Sequence, residues 1–294
     1  MSTLAVFGPT ASGKSQAALE LARALDGEIV SCDAMQMYRG LPVLTNQPSA
    51  AELEAVPHHL VGVWELEHRG SVAEFGELAR AAIGDIAARG RTPVLCGGSG
   101  LYLRAALAPM GLPPEPEEGV RERFDALYDE LGPVATHELL AERDPAAAER
   151  IHPNDRRRVV RALELAEQGR SLAPDEDVLW ERADRFGVRI FGLVVDPAEL
   201  DRRIAARTEA MFGAGVEDEV RTALAEHRFS ETAARMHGLQ DVQALLRGEI
   251  GRDESMRRMT LRTRQYAKRQ RTWMRRLPGM AEVRGVGEIL ERAA

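Results

Sequence analysis

Residues 8–15, Gly8-Pro9-Thr10-Ala11-Ser12-Gly13-Lys14-Ser15, constrain this chain more than any other stretch. They read GxxxxGK[ST], the spacing of a phosphate-cradling loop. Before them Thr3-Leu4-Ala5-Val6-Phe7 is an apolar run of buried-strand length, and after them Gln16 to Leu25 repeats apolar residues at helical spacing. Strand, glycine loop and helix in that order specify an α/β unit whose helix N-terminus points free N–H groups at an anion. Gly8, Thr10, Ala11, Ser12, Gly13, Lys14 and Ser15 are the expected diphosphate-binding residues. Lys14 would neutralise a phosphate oxygen, and the Ser15 hydroxyl would hold Mg2+. All but two of the 39 basic residues are arginine, the exceptions being Lys14 and Lys268. A lysine at the motif position of an arginine-using chain is not compositional drift, and its compact ammonium suits a tight loop.

Further strands are expected at 28–31 and 92–96, and again at 189–195. A helix is expected from Val72 to about Arg89, with Ser71 and Glu74 spaced as a capping box. Residues 41–60, with three prolines and His58-His59, read as a long loop. Residues 109–116 read as a linker, and from about Val120 to Arg185 every element is helical and amphipathic. Strands that resume after an all-helical block suggest an insertion. The expected fold is therefore α/β, a parallel sheet of the P-loop kind flanked by helices (1–115 and 189–294), carrying an all-helical domain at 116–188.

Hydrophobic content of 44% and charged content of 29% are those of a water-soluble globular chain. No apolar run approaches the roughly 20 residues that span a bilayer. The first strand begins within three residues of Met1, so no signal or transit peptide is expected. Cys32 and Cys96 form neither a disulfide framework nor a metal-ligand spacing, which fits a reducing cytoplasm. The net charge of −7 argues against nucleic acid, but it hides patches: Arg156, Arg157, Arg158 and Arg161, and nine basic residues with no acid between Arg257 and Arg276. A basic helix without acidic partners repels itself unless an anion sits on it, which favours an RNA face.

The loop alone does not choose a reaction. Kinases and GTPases of this class hold Mg2+ through an Asp at a strand end, yet the 92–96 strand runs into Gly97-Gly98-Ser99-Gly100. Asp196 ends an apolar strand, but Asp196-Pro197 is also a helix cap followed by proline at the first helical position. Asp33 closes the second strand, where α/β sheets place ligands, and Ser99 follows the third. The alternative is that each caps its own turn. Tyr38 and Gln36 stand close to Asp33 in sequence, and Tyr38 suits a core position as well as a place in the site.

The strings GPTASGKS, SCDAMQMYRG, VPHHL, SVAEF, PVLCGGSGLYLRA, IHPNDRRRVVRALE, RIAARTEAMFGAGVEDEV and TRQYAKRQRTW occur in this order. Together, over nearly the whole chain, they resemble the bacterial tRNA dimethylallyltransferase (tRNA isopentenyltransferase) family. The resemblance implies transfer of a dimethylallyl group from dimethylallyl diphosphate to N6 of the adenosine at tRNA position 37, next to the anticodon, with release of diphosphate. It implies Asp33 as general base with Ser99, where the family usually has Thr, as supporting hydroxyl. Arg207 would reach the diphosphate held by the loop. Ala34, Met35, Gln36, Tyr38, Arg121, Arg157, Arg158, Arg161, Arg264, Lys268 and Arg269 would meet the anticodon stem-loop. The protein would act as a monomer, with Mg2+, away from membranes. Two segments depart from the family pattern: His237-Gly238-Leu239-Gln240-Asp241 lacks the usual Gly-Tyr pair, and Leu44-Thr45-Asn46-Gln47-Pro48 replaces the usual GTAKP. Rival readings are a prenyltransferase of free adenine nucleotides, a P-loop kinase and a non-catalytic RNA-binding protein.

Overall fold

The computed structural model describes residues 2–108, 119–173, 187–277 and 279–293. The expected linker and the C-terminal part of the expected helical block, 174–186, lie largely outside them. Six strands, β1 (Leu4–Phe7), β2 (Gly27–Cys32), β3 (His58–His59), β4 (Thr92–Gly97), β5 (Arg189–Leu193) and β6 (Ala281–Val283), form one sheet in the order β3-β2-β4-β1-β5-β6. Every pairing is parallel. The helices run α1 (Lys14–Ala24), α2 (Pro42–Thr45), α3 (Ala50–Ala55), α4 (Val72–Ala88) and α5 (Gly100–Leu107). Next come α6 (Val120–Arg143), α7 (Pro145–Arg150) and α8 (Arg156–Glu167). After β5 follow α9 (Pro197–Gly213), α10 (Val216–Glu226), α11 (Leu239–Leu246), α12 (Arg252–Met274) and, beyond β6, α13 (Val286–Ala293).

β1 is buried on both faces, as a central strand of a parallel sheet must be. Its alternate residues feed two cores: Ala5 and Phe7 pack with α4 and α5, whereas Leu4 and Val6 pack with α1 and α13. One charge interrupts the sheet. Glu28 on β2 is 1% exposed and is held by Arg89, Arg91 and His59 at 2.5, 2.9 and 2.7 Å. These partners hold its carboxyl down at about 2 and supply the pairing that a buried charge requires. His59 is thus a structural partner within the sheet.

Three expectations need revising. Residues 41–60 are not one loop but α2, α3 and β3. Ser49 and Glu52 make the reciprocal capping box of α3, whereas Ser71 caps α4 alone, because the Glu74 carboxylate turns to Trp64 and His68. The three-residue edge strand β6 was too short to register as a pattern. Asp196 does cap α9, accepting from Ala198 N and Glu199 N at 2.9 and 3.1 Å.

The chain separates into two compact units, Met1–Met110 with Leu179–Ala294, and Gly111–Val178. The smaller unit holds α6, α7 and α8 around Phe124, Leu140, Val159 and Leu163. Its long α6 is broken at Gly132, where φ is +77° and Pro133 follows. No helix among the described residues is long and apolar enough to cross a membrane.

Candidate active site

α1 and α5, which follow β1 and β4, pack on opposite faces of the sheet. That divergence opens a crevice at the strands' C-terminal ends, the usual ligand position in a parallel sheet. A cleft of about 390 Å3 occupies it. The phosphate loop contributes Thr10, Ala11, Gly13, Lys14 and Ser15, the exit of β2 contributes Asp33, Met35 and Gln36, and α9 contributes Arg203, Arg207 and Met211. Leu44, Thr45, Asn46, Cys96, His237, Thr263 and Tyr266 complete the lining.

One side of the cleft is built for an anion. Burial pulls the Lys14 ammonium below its ordinary range, against the opposing pull of Cys96 and Asp33. Burial likewise lowers Arg207, with Asp33 pushing back. Partly dehydrated cations of this kind regain their full charge preference when an anion arrives. Arg207 is aimed by its donation to Thr10 Oγ1 at 2.6 Å. Behind the loop, the Ser12 hydroxyl is buried with no hydrogen-bond partner among the described residues. An ideal Cβ on Gly8 would stand 2.6 Å from it, so Gly8 must lack a side chain. Gly8 and Ser12 thus back the loop, and it is Thr10, Ala11, Gly13, Lys14 and Ser15 that face the cleft.

The other side holds one carboxylate and an aromatic pair. The N–H of Met35 donates to Asp33 Oδ1 at 3.0 Å and fixes the carboxylate. Asp33 Oδ2 takes no hydrogen bond or ion pair among the described residues. His237 and Tyr266 place their rings 4.4 Å apart, at 40°. Burial raises the Tyr266 hydroxyl well above its usual range, and Asp33 adds to this. Burial lowers the His237 imidazole, with Arg269 adding, so it is neutral at pH 7. The Cys96 thiol is pushed up to about 11 by burial despite Lys14 and Ser15 pulling it back, and is inert.

No group of three or more His, Cys, Asp or Glu among the described residues could hold a metal. Ser15 and Asp33 nevertheless open into one cleft. A hydroxyl and a carboxylate beside a diphosphate suit Mg2+, which keeps waters and takes substrate phosphate oxygens.

The isopentenyl transferase model matches residues 1–61 and the IPP transferase model matches residues 36–277. This chain belongs to the IPP transferase family. It is 44% identical over 281 residues to the tRNA dimethylallyltransferase of Anaeromyxobacter dehalogenans, covering 96% of this chain and 92% of that one. It is 44% identical over 283 residues to the tRNA dimethylallyltransferase of a Nocardioides species, covering 96% and 90%. Among solved structures, the tRNA isopentenylpyrophosphate transferase of Bacillus halodurans superposes with a TM-score of 0.72 at 32% identity, covering 99% of this chain and 94% of that one.

Within this IPP transferase chain, several expected residues sit elsewhere. Tyr38 is 1% exposed. Its ring packs edge-on against Trp64 at 5.4 Å, and its hydroxyl meets Thr232 at 2.7 Å. It is a core residue and reads no base. Gln36 does line the cleft, but its amide is engaged: Oε1 accepts from Ser31 and Nε2 donates to Asn46 O. Ser99 starts α5 without a capping bond and does not line the cleft, because the chain leaves it after Cys96. Ala34 is partly buried in the turn after β2.

In the smaller unit, Arg121 and Arg161 are both tied to Glu164, a fully buried carboxylate, at 2.7 and 2.8 Å. Arg157 and Arg158 are exposed, the latter 3.7 Å from Asp155. On α12 the acid-free run does have partners, drawn from outside it. Glu254 holds Arg257 and Arg258, Asp241 holds Arg262, and Asp201 lies 3.6 Å from Arg264. Lys268, Arg269 and Arg271 are exposed and have no carboxylate partner among the described residues.

Sequence reasoning missed Arg203, Thr263 and Tyr266. Arg203 lies four residues before Arg207 and Tyr266 three before Arg269, so helical neighbours of the named residues would have found these two, whereas Thr263 lies a further turn away, before Tyr266.

Proposed function

We propose that the protein transfers the dimethylallyl group of dimethylallyl diphosphate to the exocyclic N6 of the adenosine at position 37 of tRNA. The observation that carries this reading is the pairing of one carboxylate, Asp33, free on one oxygen, with the cations Lys14 and Arg207 in one cleft. β4 brings no acid to the loop, as nucleotide hydrolysis in this class would need. The names of the relatives point the same way.

In this reading N6 attacks the allylic carbon, the bond from that carbon to the diphosphate oxygen breaks, and the N6 proton passes to Asp33. An amine conjugated to a purine is a poor nucleophile, so removing its proton as the bond forms is what makes the attack feasible. Lys14, Arg207 and the loop's N–H groups stabilise the charge that grows on the leaving diphosphate. Bound at Ser15, Mg2+ would add to that charge stabilisation. The base must leave its stack to reach Asp33, and the neutral His237–Tyr266 pair offers it an aromatic surface. The exposed cations of α12 meet the phosphates of the anticodon stem-loop, and the helical unit, 116–188 in the sequence reading, grips the same stem. The enzyme works as a monomer in the cytoplasm.

Nucleoside mass analysis tests this. Unmodified tRNA incubated with protein, Mg2+ and dimethylallyl diphosphate should yield adenosine heavier by one dimethylallyl group. A gain on free AMP alone, or consumption of ATP in step with product, would overturn it.

A further inference from the structure

The helix α12 has two contrasting sides. Lys268 and Arg269 point outward, whereas Gln270 between its exposed neighbours is 3% exposed and reaches the phosphate loop. Its Oε1 accepts the N–H of Thr10 at 2.7 Å, a buried bond across 260 positions of sequence. The carboxamide arrives past the end of β4. An ideal Cβ on Gly98 would stand 2.2 Å from Gln270 Nε2 and 2.7 Å from the Gly8 carbonyl oxygen. Gly100 makes room for Trp273, one turn further along, in the same way, at 2.5 Å. The absence of side chains after β4 thus has a physical use. The space beyond β4, at Gly98, is filled by an uncharged amide from α12.

The loop needs such a hold. Ala11 has φ +64°, a left-handed conformation that alanine rarely adopts. Conformations of this kind persist only where the surroundings fix them. Thr10, immediately before, is fixed at its N–H and its hydroxyl: Gln270 accepts from the N–H and Arg207 donates to Oγ1 at 2.6 Å. On the other side, Ser12 N–H donates to Pro9 O at 3.1 Å.

We infer that Gln270 is a positioning residue of the donor site, holding the phosphate loop in its strained, diphosphate-accepting shape from the helix that carries the RNA-facing cations. The inference rests on the reading above that this loop binds the donor's diphosphate. Gln270 does not line the cleft; its carboxamide meets the Thr10 N–H and the Tyr266 hydroxyl, and it is through Thr10 that it holds the loop.

The test uses the full-length chain with Gln270→Met, which keeps length and volume but removes the strong acceptor, and Gln270→Ala. KM for dimethylallyl diphosphate is measured beside KM for tRNA, with the Kd of inorganic pyrophosphate in Mg2+ and the melting temperature. For Gln270→Met the expected result is a donor KM and a pyrophosphate Kd raised about tenfold, the effect of one lost buried acceptor. KM for tRNA and the affinity for the anticodon stem-loop should stay within about twofold. A role in packing alone predicts a Met variant with wild-type donor KM, and that result would overturn the inference. Equal rises in both KM values would overturn it too. If Gln270→Ala fails to fold, the Met variant still decides. Wild-type protein that transfers no dimethylallyl group would instead refute the proposed function, so the two failures are distinguishable.

Discussion

The two arginine-rich stretches of this chain, α8 with its surroundings and the second half of α12, look alike in sequence and differ in what answers their charge. Around α8, Arg121 and Arg161 share the buried Glu164, and Arg156 is held by Asp125 and Asp129 at 2.7 and 2.5 Å. On α12 the carboxylates run out after Arg264. Lys268, Arg269 and Arg271 remain exposed and unpaired among the described residues. A run of arginines is therefore two kinds of object. Where a buried acid organises it, it is part of the fold; where none does, it is a surface that a polyanion can occupy.

The largest effect that would sharpen this contrast comes from Glu164→Gln. It leaves two guanidiniums facing a buried neutral amide, and should lower the stability of the helical unit by about 3 kcal/mol, read by urea unfolding of the full chain. A change below about 1 kcal/mol would mean that Glu164 organises nothing. Glu28→Gln repeats the experiment inside the sheet and should cost about 2 kcal/mol near neutral pH. The sign follows from the depressed carboxyl at about 2. Its contribution is fully present above the unfolded-state value near 4.5, and is lost as pH falls through about 2. Wild type and variant should thus converge in melting temperature between those limits; a gap that stays constant down to pH 2 would contradict the pairing.

The unpaired surface should respond differently. Lys268→Ala with Arg269→Ala is expected to weaken stem-loop binding about tenfold and to flatten the salt dependence by about two ions released, leaving the donor KM unchanged. An unaltered salt slope would place the RNA elsewhere. The smallest effect belongs to Arg158→Ala, whose exposed partner Asp155 lies 3.7 Å away. Stability should move by less than about 0.5 kcal/mol.

What was legible in the sequence was what is local. The loop, the Asp33 that ends β2, and Arg207 are short-range signals, and each lines the cleft. Burial and distant partners were not legible. Tyr38 looked like a base reader because it stands five residues from Asp33, yet a core of Trp64 and Thr232 claims it. The acid-free run on α12 suggested a wholly unpartnered helix, because Asp241 and Asp201 return from other helices that only the fold brings near. Gln270 stands inside the TRQYAKRQRTW string, but nothing local assigns it a role: its partner Thr10 is 260 positions away, and only the fold shows the bond. The departures noted in the sequence converge instead of scattering. Leu44 to Asn46 and His237 line the same cleft.

In the proposed reaction Asp33 is the group that takes the proton. Single-turnover transfer by Asp33→Asn should be about a thousandfold slower than wild type, within the range for loss of a general base. Stem-loop affinity should be preserved, since the phosphates of the stem are not held by Asp33. A rate within tenfold of wild type would contradict the assignment of Asp33 as the group that takes the proton.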